Sequence, residues 1–433
     1  MAHEAVEILS KYIQINTTNP PGNEAPAVEF LSGILEREGI SCRTYESSQG
    51  RCSLRALLPG TGKKDPLILL NHMDVVPANP NDFSFDPFGG EVRDGYICGR
   101  GALDMKGIGV MQLMAFLAMK RRRAPLNRDL VFLAVADEEE GGAEGARHLL
   151  DNHPGDFRAG LVLNEGAFGI ANMLPDKTVM MIATGEKGPC WLRLTRRGEP
   201  GHGSSPHGRN TLMKMVQALN RLIDADLPVI ITDITEEYFR QIAPYWSFLE
   251  PYREDGRRET MACLLRESGL LEVPQLNAMV RNTISLNILR AGVKLNVIPD
   301  GVEAQLDIRL LPGQNVDEFI SFVRETLDDE MIQIDSILAA AGNVSDMDGG
   351  EYLLLREAVG AHFPDALMPP TLLPGISDSR FFRERGVPAY GFCPLVIPMD
   401  HLKMIHGIDE KISVEGLVRG CEIYDDIVRR LSS

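Results

Sequence analysis

The sequence holds no Cys-x-x-Cys pair, no apolar run of membrane-spanning length and no excess of positive charge. Each absence removes a class of protein. The cysteines, at positions 42, 52, 98, 190, 263, 393 and 421, are odd in number and scattered. They indicate neither a disulfide framework nor a thiolate zinc site, and reduced thiols in a cytoplasmic protein are the expectation. The opening segment MAHEAVEILSKYIQI carries Glu4, Glu7 and Lys11 on one side, so it reads as an amphipathic helix and not as a signal peptide. No stretch stays apolar over the ~20 residues that a bilayer requires, so no membrane partner is expected. Lysine and arginine total 44 against 61 aspartates and glutamates, a formal charge of −17. Nucleic acid, whose phosphates need a basic face, is therefore not expected as a partner.

A chain of 433 residues is long enough for two cores. Three short apolar runs each lead into polar residues of catalytic type: Pro66–Leu70 into His72 and Asp74, Leu130–Ala136 into Asp137-Glu138-Glu139-Glu140, and Gly160–Leu163 into Glu165. With helical segments at Met105–Lys120 and Ala143–Asn152 between them, they read as buried strands of an α/β sheet. Ligands of such sheets bind at the carboxyl ends of the strands. From about Gly188 the pattern changes. Strand candidates at Trp191–Arg196, Thr283–Leu289, Val302–Leu310 and Ile332–Ala339, with helices at Arg209–Ile223 and Val316–Leu327, suit a small α+β domain. Residues 226–275 interrupt it as an insertion with Tyr238, Tyr245, Trp246 and Phe248, and the strand Ala389–Phe392 returns to the character of the larger domain. The fold predicted is thus α/β, a central mostly parallel sheet flanked by helices over 1–187 and 342–433, with a smaller α+β domain inserted at 188–341.

In His72-Met73-Asp74 the two polar residues share a face of an extended segment, which lets Asp74 hold one ring nitrogen while the other faces a metal. Asp104 follows a glycine-rich turn before a helix, where an aspartate approaches a ligand closely or simply caps the helix. Adjacent Glu138 and Glu139 at a strand end point in different directions, so one can bind metal while its neighbour takes a proton. Glu165 repeats the theme. Near the C-terminus His401 and His406 compete on spacing alone. Two imidazoles and three carboxylates form an N/O set suited to zinc, and they are too many for one tetrahedral catalytic ion that also holds water. One bridging carboxylate would give each of two metals three ligands and an open position, the two-metal hydrolytic pattern.

Six motifs in order, His-x-Asp at 72, Gly-Arg-Gly-x-x-Asp-Met-Lys-Gly at 99, Asp-Glu-Glu at 137, Asn-Glu-Gly at 164, Gly-His-Gly-Ser-x-Pro at 201 and His-Gly-x-Asp-Glu at 406, span most of the chain. The sequence resembles the zinc metallopeptidase family of aminoacylase-1, carboxypeptidase S, glutamate carboxypeptidase, acetylornithine deacetylase and succinyl-diaminopimelate desuccinylase. The resemblance implies two zinc ions per subunit, with cobalt or manganese as substitutes. It makes Asp104 the bridge, with His72 and Glu165 completing one metal, Glu139 and His406 the other, and Asp74 orienting His72. Glu138 becomes the general base. The resemblance also implies a homodimer in which the inserted domain is a lid and dimerisation domain, His202 (not its neighbour His207) supports the oxyanion of the partner subunit, and Arg309 binds the substrate carboxylate with Asn296 beside it. A guanidinium suits that task because it binds carboxylate bidentately. The implied activity is cleavage of an amide to release an α-amino acid from a dipeptide or N-acyl amino acid, carboxypeptidase or aminoacylase in type. The alternatives are a biosynthetic N-deacylase of the acetylornithine or succinyl-diaminopimelate type and an inactive metabolite-binding relative. The chain departs from the family pattern at Ile108, at Ile376 in Gly-Ile-Ser-Asp, and in the size of the 226–275 insertion.

Overall fold

The strand Leu67–His72 is buried at every position, and so is Leu130–Val135 beside it. Strands apolar on both faces belong inside a parallel sheet with helices on either side. The two run parallel, Leu67 opposite Leu130 and His72 opposite Val135. Leu161–Asn164 is parallel to Leu67–His72 on its other side, and Ala389–Gly391 is parallel to Leu161–Asn164. Antiparallel strands flank this centre: Arg51–Leu58 and then Cys42–Ser48 on one side, Ile182–Glu186 on the other.

Side chains of successive strand residues leave opposite faces, and the core divides accordingly. Leu67, Leu69, Phe132, Ala134, Leu161 and Leu163 enter one core, shared with the helices Lys106–Arg122 and Val414–Ser432. Ile68, Leu70, Val131, Leu133, Val135 and Val162 enter the other, with Leu149 and Phe381 from the short helices Ala146–Asn152 and Ser379–Arg383. A Cβ on Gly420 would fall 2.5 Å from Met111 Sδ, so glycine at that point lets the last helix approach Lys106–Arg122.

The computed structural model describes residues 2–433, and the chain divides into two compact units. The sheet centre belongs to the first, which runs up to Thr184 and includes Ser345–Thr371 and Ser377–Ser433. The second comprises Gly185–Val344 and Leu372–Ile376. It contains an antiparallel sheet in the order Thr283–Ala291, Gly301–Leu310, Gly188–Arg197, Ile332–Ala339. Gly301–Leu310 alternates cleanly: Val302, Ala304, Leu306, Ile308 and Leu310 are buried against the helices Thr211–Ile223 and Val316–Leu327. Both helices start at an asparagine cap, Asn210 accepting from the Met213 amide and Asn315 from those of Asp317 and Glu318. The 226–275 insertion is helical, with Asp233–Ile242, Glu250–Asp255 and Arg258–Glu267 joined by tight turns, and an aromatic row of Tyr238, Phe239, Trp246 and Phe248 runs through it. Among the described residues no helix is long and apolar enough to cross a membrane.

Lys187, fully buried in the second unit, donates to the Arg281 carbonyl at 2.8 Å and to Thr283 Oγ1 at 3.0 Å. Burial, and then the nearby Arg309 charge, bring its ammonium from 10.5 down to about 7. Between those values the unfolded chain binds the extra proton, so this group makes stability rise with pH across the window. Lys187→Met should therefore gain most over wild type near pH 7, and the gain should shrink as pH rises. Melting temperatures of both proteins from pH 6.5 to 9.5 check this; a difference independent of pH rules it out.

Candidate metal centre

Because the central strands run parallel, their carboxyl ends share one edge of the sheet. His72 ends the first strand, the turn Glu138–Glu140 follows the second, and Glu165 follows the third. Asp104 arrives from the turn before the helix Lys106–Arg122, and His406 from the loop before the strand Lys411–Ser413. His406 holds a left-handed conformation, φ +58°.

Asp104 lies between the two imidazoles. Its Oδ1 is 3.2 Å from His72 Nε2 and its Oδ2 is 3.1 Å from His406 Nε2. His72 Nε2 is also 3.5 Å from Glu165 and 4.0 Å from Glu138, while His406 Nε2 is 3.1 Å from Glu139. Of the two histidines near the C-terminus, His406 is therefore the one that faces the cluster. Ligand atoms of His72, Asp104 and Glu139 come close enough to share an ion, as do those of His72, Glu138 and Glu165.

The donor set fits divalent cations on two observations. Glu139 Oε1 is buried with no hydrogen-bond partner among the described residues. The other is the concentration of negative charge. Burial, reinforced by the Glu165 carboxylate, pushes Glu138 well above the usual range, and burial, reinforced by the Asp104 and Glu139 carboxylates, raises Glu165 to about 7. The imidazoles answer it: hydrogen bonds to Asp104 and Glu139 push His406 up to about 10, and His72 rises well above its ordinary value although burial opposes this. A cation in place of those protons meets the same carboxylates.

His72 Nδ1 is 2.9 Å from the Asp74 carbonyl oxygen and 3.5 Å from Asp74 Oδ1. The strand ends at His72, and Asp74 Oδ1 still lies on the Nδ1 side of the ring. That carboxylate also accepts from the amides of Glu138 and Glu139, at 3.2 and 3.1 Å.

Glu410, fully buried, ties two ligand loops together. It accepts from the amides of Gly101, Leu103 and Asp104 at 3.0, 2.8 and 3.0 Å, and from Arg100 Nη1 at 2.6 Å. Arg100 Nη2 donates to the Gly407 carbonyl, next to His406. Asp378 is also buried, its Oδ2 unpartnered among the described residues, and burial lifts its carboxyl to about 8. Its Oδ1 occupies the space where a Cβ on Gly142, at φ +69°, would sit, 2.3 Å away. The sequence motifs contain Glu410 and Asp378, but nothing in their spacing announces these contacts.

The remaining candidates lie in the second unit. His202 forms the short strand Gly201–His202, paired with Val297–Ile298, and Ser204 closes on its Nδ1 at 2.7 Å. The Gly203 amide donates to the Asn296 carbonyl at 2.9 Å, which brings Asn296 beside His202. Arg309 is paired with Asp307 through Nε at 2.6 Å and Nη2 at 3.1 Å, stacks over Trp191, and has a buried Nη1 without a partner among the described residues.

The family model described as peptidase family M20/M25/M40 matches residues 68–430. An N-fatty-acyl-amino acid synthase/hydrolase, PM20D1, of Xenopus tropicalis is 32% identical over 84% of this chain and 72% of its own length. Aminoacylase-1 of Sus scrofa is 28% identical over 100% of this chain and 96% of its own. Among solved structures, the M20 family metallo-carboxypeptidase Sso-CP2 from Sulfolobus solfataricus superposes with a TM-score of 0.75 at 18% identity, covering 99% of this chain and 98% of that one.

Proposed function

The chain belongs to peptidase family M20/M25/M40 and is a hydrolase of peptidase and aminoacylase type, and from that premise we propose that it uses two zinc ions to cleave an amide bond and release an α-amino acid. The observation that carries the reading is Asp104 with one carboxylate oxygen toward each of two histidines. Asp104 would be shared between the two cations, His72 and Glu165 would hold one, and Glu139 and His406 the other. When bound, such cations supply Lewis acidity and bring water toward ionisation near neutral pH.

The chain's own residues do the rest. Glu138, held raised in pKa beside Glu165, takes the proton of the attacking water and returns it to the leaving amine. Asp74 holds the amides of Glu138 and Glu139, and its carbonyl fixes the His72 ring. The inserted domain, 188–341 against a catalytic domain of 1–187 and 342–433, acts as lid and dimerisation domain. His202 supports the developing oxyanion in the partner subunit of a homodimer. Arg309 exchanges part of its bond with Asp307 for the free carboxylate of the substrate, and Asn296 contacts it as well. Relatives named for amino-acid acyl chemistry favour N-acyl amino acids as substrates, with dipeptides the other class proposed.

Zinc-loaded protein incubated with a mixture of N-acyl amino acids and dipeptides should release free amino acids, read by mass spectrometry. A strong chelator should stop release and added zinc restore it. N-acetylornithine and succinyl-diaminopimelate belong in the same panel, and cleavage of those alone replaces the substrate assignment. No cleavage by folded, zinc-loaded protein removes the function.

A further inference from the structure

The turn that carries Glu138 and Glu139 begins at Asp137, whose φ of +72° lies in the left-handed region that costs a residue with a Cβ. Something must hold it there. The Asp137 carboxylate is engaged on both sides: Oδ1 accepts from Arg51 Nη2 at 2.7 Å and Asn19 Nδ2 at 3.1 Å, and Oδ2 accepts from the Glu144 amide at 2.9 Å. Asn19 Nδ2 also donates to Asp74 at 2.9 Å, so one side-chain amide links Asp137 to the carboxylate that caps Glu138 and Glu139.

Arg51 is anchored in its turn. Its Nε and Nη2 donate to Glu24 at 2.9 and 3.0 Å, and its side chain is 11% exposed where those of Glu24 and Asp137 are 0% and 6%. Space for the guanidinium exists because residue 22 is glycine: a Cβ there would lie 2.3 Å from Arg51 Cζ. A planar fork with donors on two edges serves two carboxylates at once, which a lysine ammonium cannot do in the same geometry.

We infer that Arg51, with Asn19, is a positioning residue for the metal centre: through Asp137 it sets the turn that aims Glu138 and Glu139. Arg51 touches none of the proposed ligands and acts only through Asp137. The inference rests on the proposed roles of Glu138 and Glu139. It predicts that loosening the turn slows the chemical step and weakens metal binding without changing how substrate is held.

Two variants test it. Arg51→Lys keeps the charge and loses the fork, while Asp137→Gly removes the tie and at the same time relieves the left-handed strain of the turn. Each should lower kcat about 10–100-fold with KM little changed, and should lower zinc affinity by a similar factor in competition with a chromophoric chelator. In metal-free protein, hydrogen exchange of the Glu138, Glu139 and Glu144 amides should be slow in wild type and faster in both variants. Folded variants that keep wild-type kcat, zinc affinity and amide protection overturn the proposal. So does rapid exchange of those amides in wild type, a measurement that needs no variant to fold. If wild type cleaves no amide, the proposed function fails, and the zinc affinity and amide exchange still decide the role of Arg51.

Discussion

Glu138→Gln is expected to lower kcat by about 10²–10⁴-fold, the usual contribution of a positioned acid–base group, while zinc stoichiometry stays that of wild type. The glutamine keeps the volume and one oxygen of the carboxylate but cannot accept the proton of water near neutral pH. Glu139, whose Oε2 faces His406 at 3.1 Å, remains to bind metal. The measurement pairs steady-state kinetics with elemental analysis of the same preparation. Loss of both turnover and metal would make Glu138 a ligand, a role its grouping with His72 and Glu165 permits. Turnover within a few-fold of wild type would remove it from the chemistry altogether.

The second large effect is expected at Glu410, on stability as much as on activity. Glu410→Ala leaves the Arg100 guanidinium buried without its carboxylate and orphans the amides of Gly101, Leu103 and Asp104. Removing one partner of a buried ion pair costs about 3–5 kcal/mol, and the freed amides add to it. Chemical denaturation of the metal-free protein should show this loss directly. The metal-loaded protein should lose zinc affinity as well, because the loops of Asp104 and His406 no longer share an anchor. A variant of wild-type stability would mean that water replaces the carboxylate and that the clamp is dispensable.

Much of this centre is legible in the sequence because strand ends announce it. The runs before His72, Asp137 and Glu165 are apolar on both faces, which marks interior strands, and interior parallel strands deliver their C-terminal residues to one edge. The smaller sheet is legible for a different reason: Gly301–Leu310 alternates without a break. The hairpin of Cys42–Ser48 and Arg51–Leu58 is harder to read. Its outer strand is mostly exposed and carries no apolar alternation, so its place at the sheet edge comes from pairing alone. Arg51 and Asn19 are hard to read for a different reason. Each is an ordinary polar residue in its own segment, and its meaning comes from Asp137, far along the chain.

The bond between Arg100 and Glu410 joins positions 310 residues apart. During synthesis, every proposed ligand except His406 emerges long before the segment that completes the set. The first unit must wait for its last helix and the loop preceding it, so early metal capture by a partial chain would meet an unfinished bowl of carboxylates. On the proposed ligand set, cation affinity is then a readout of completed folding, and stalled or prematurely ended chains should be recognisable in a cell extract by their failure to retain divalent cations.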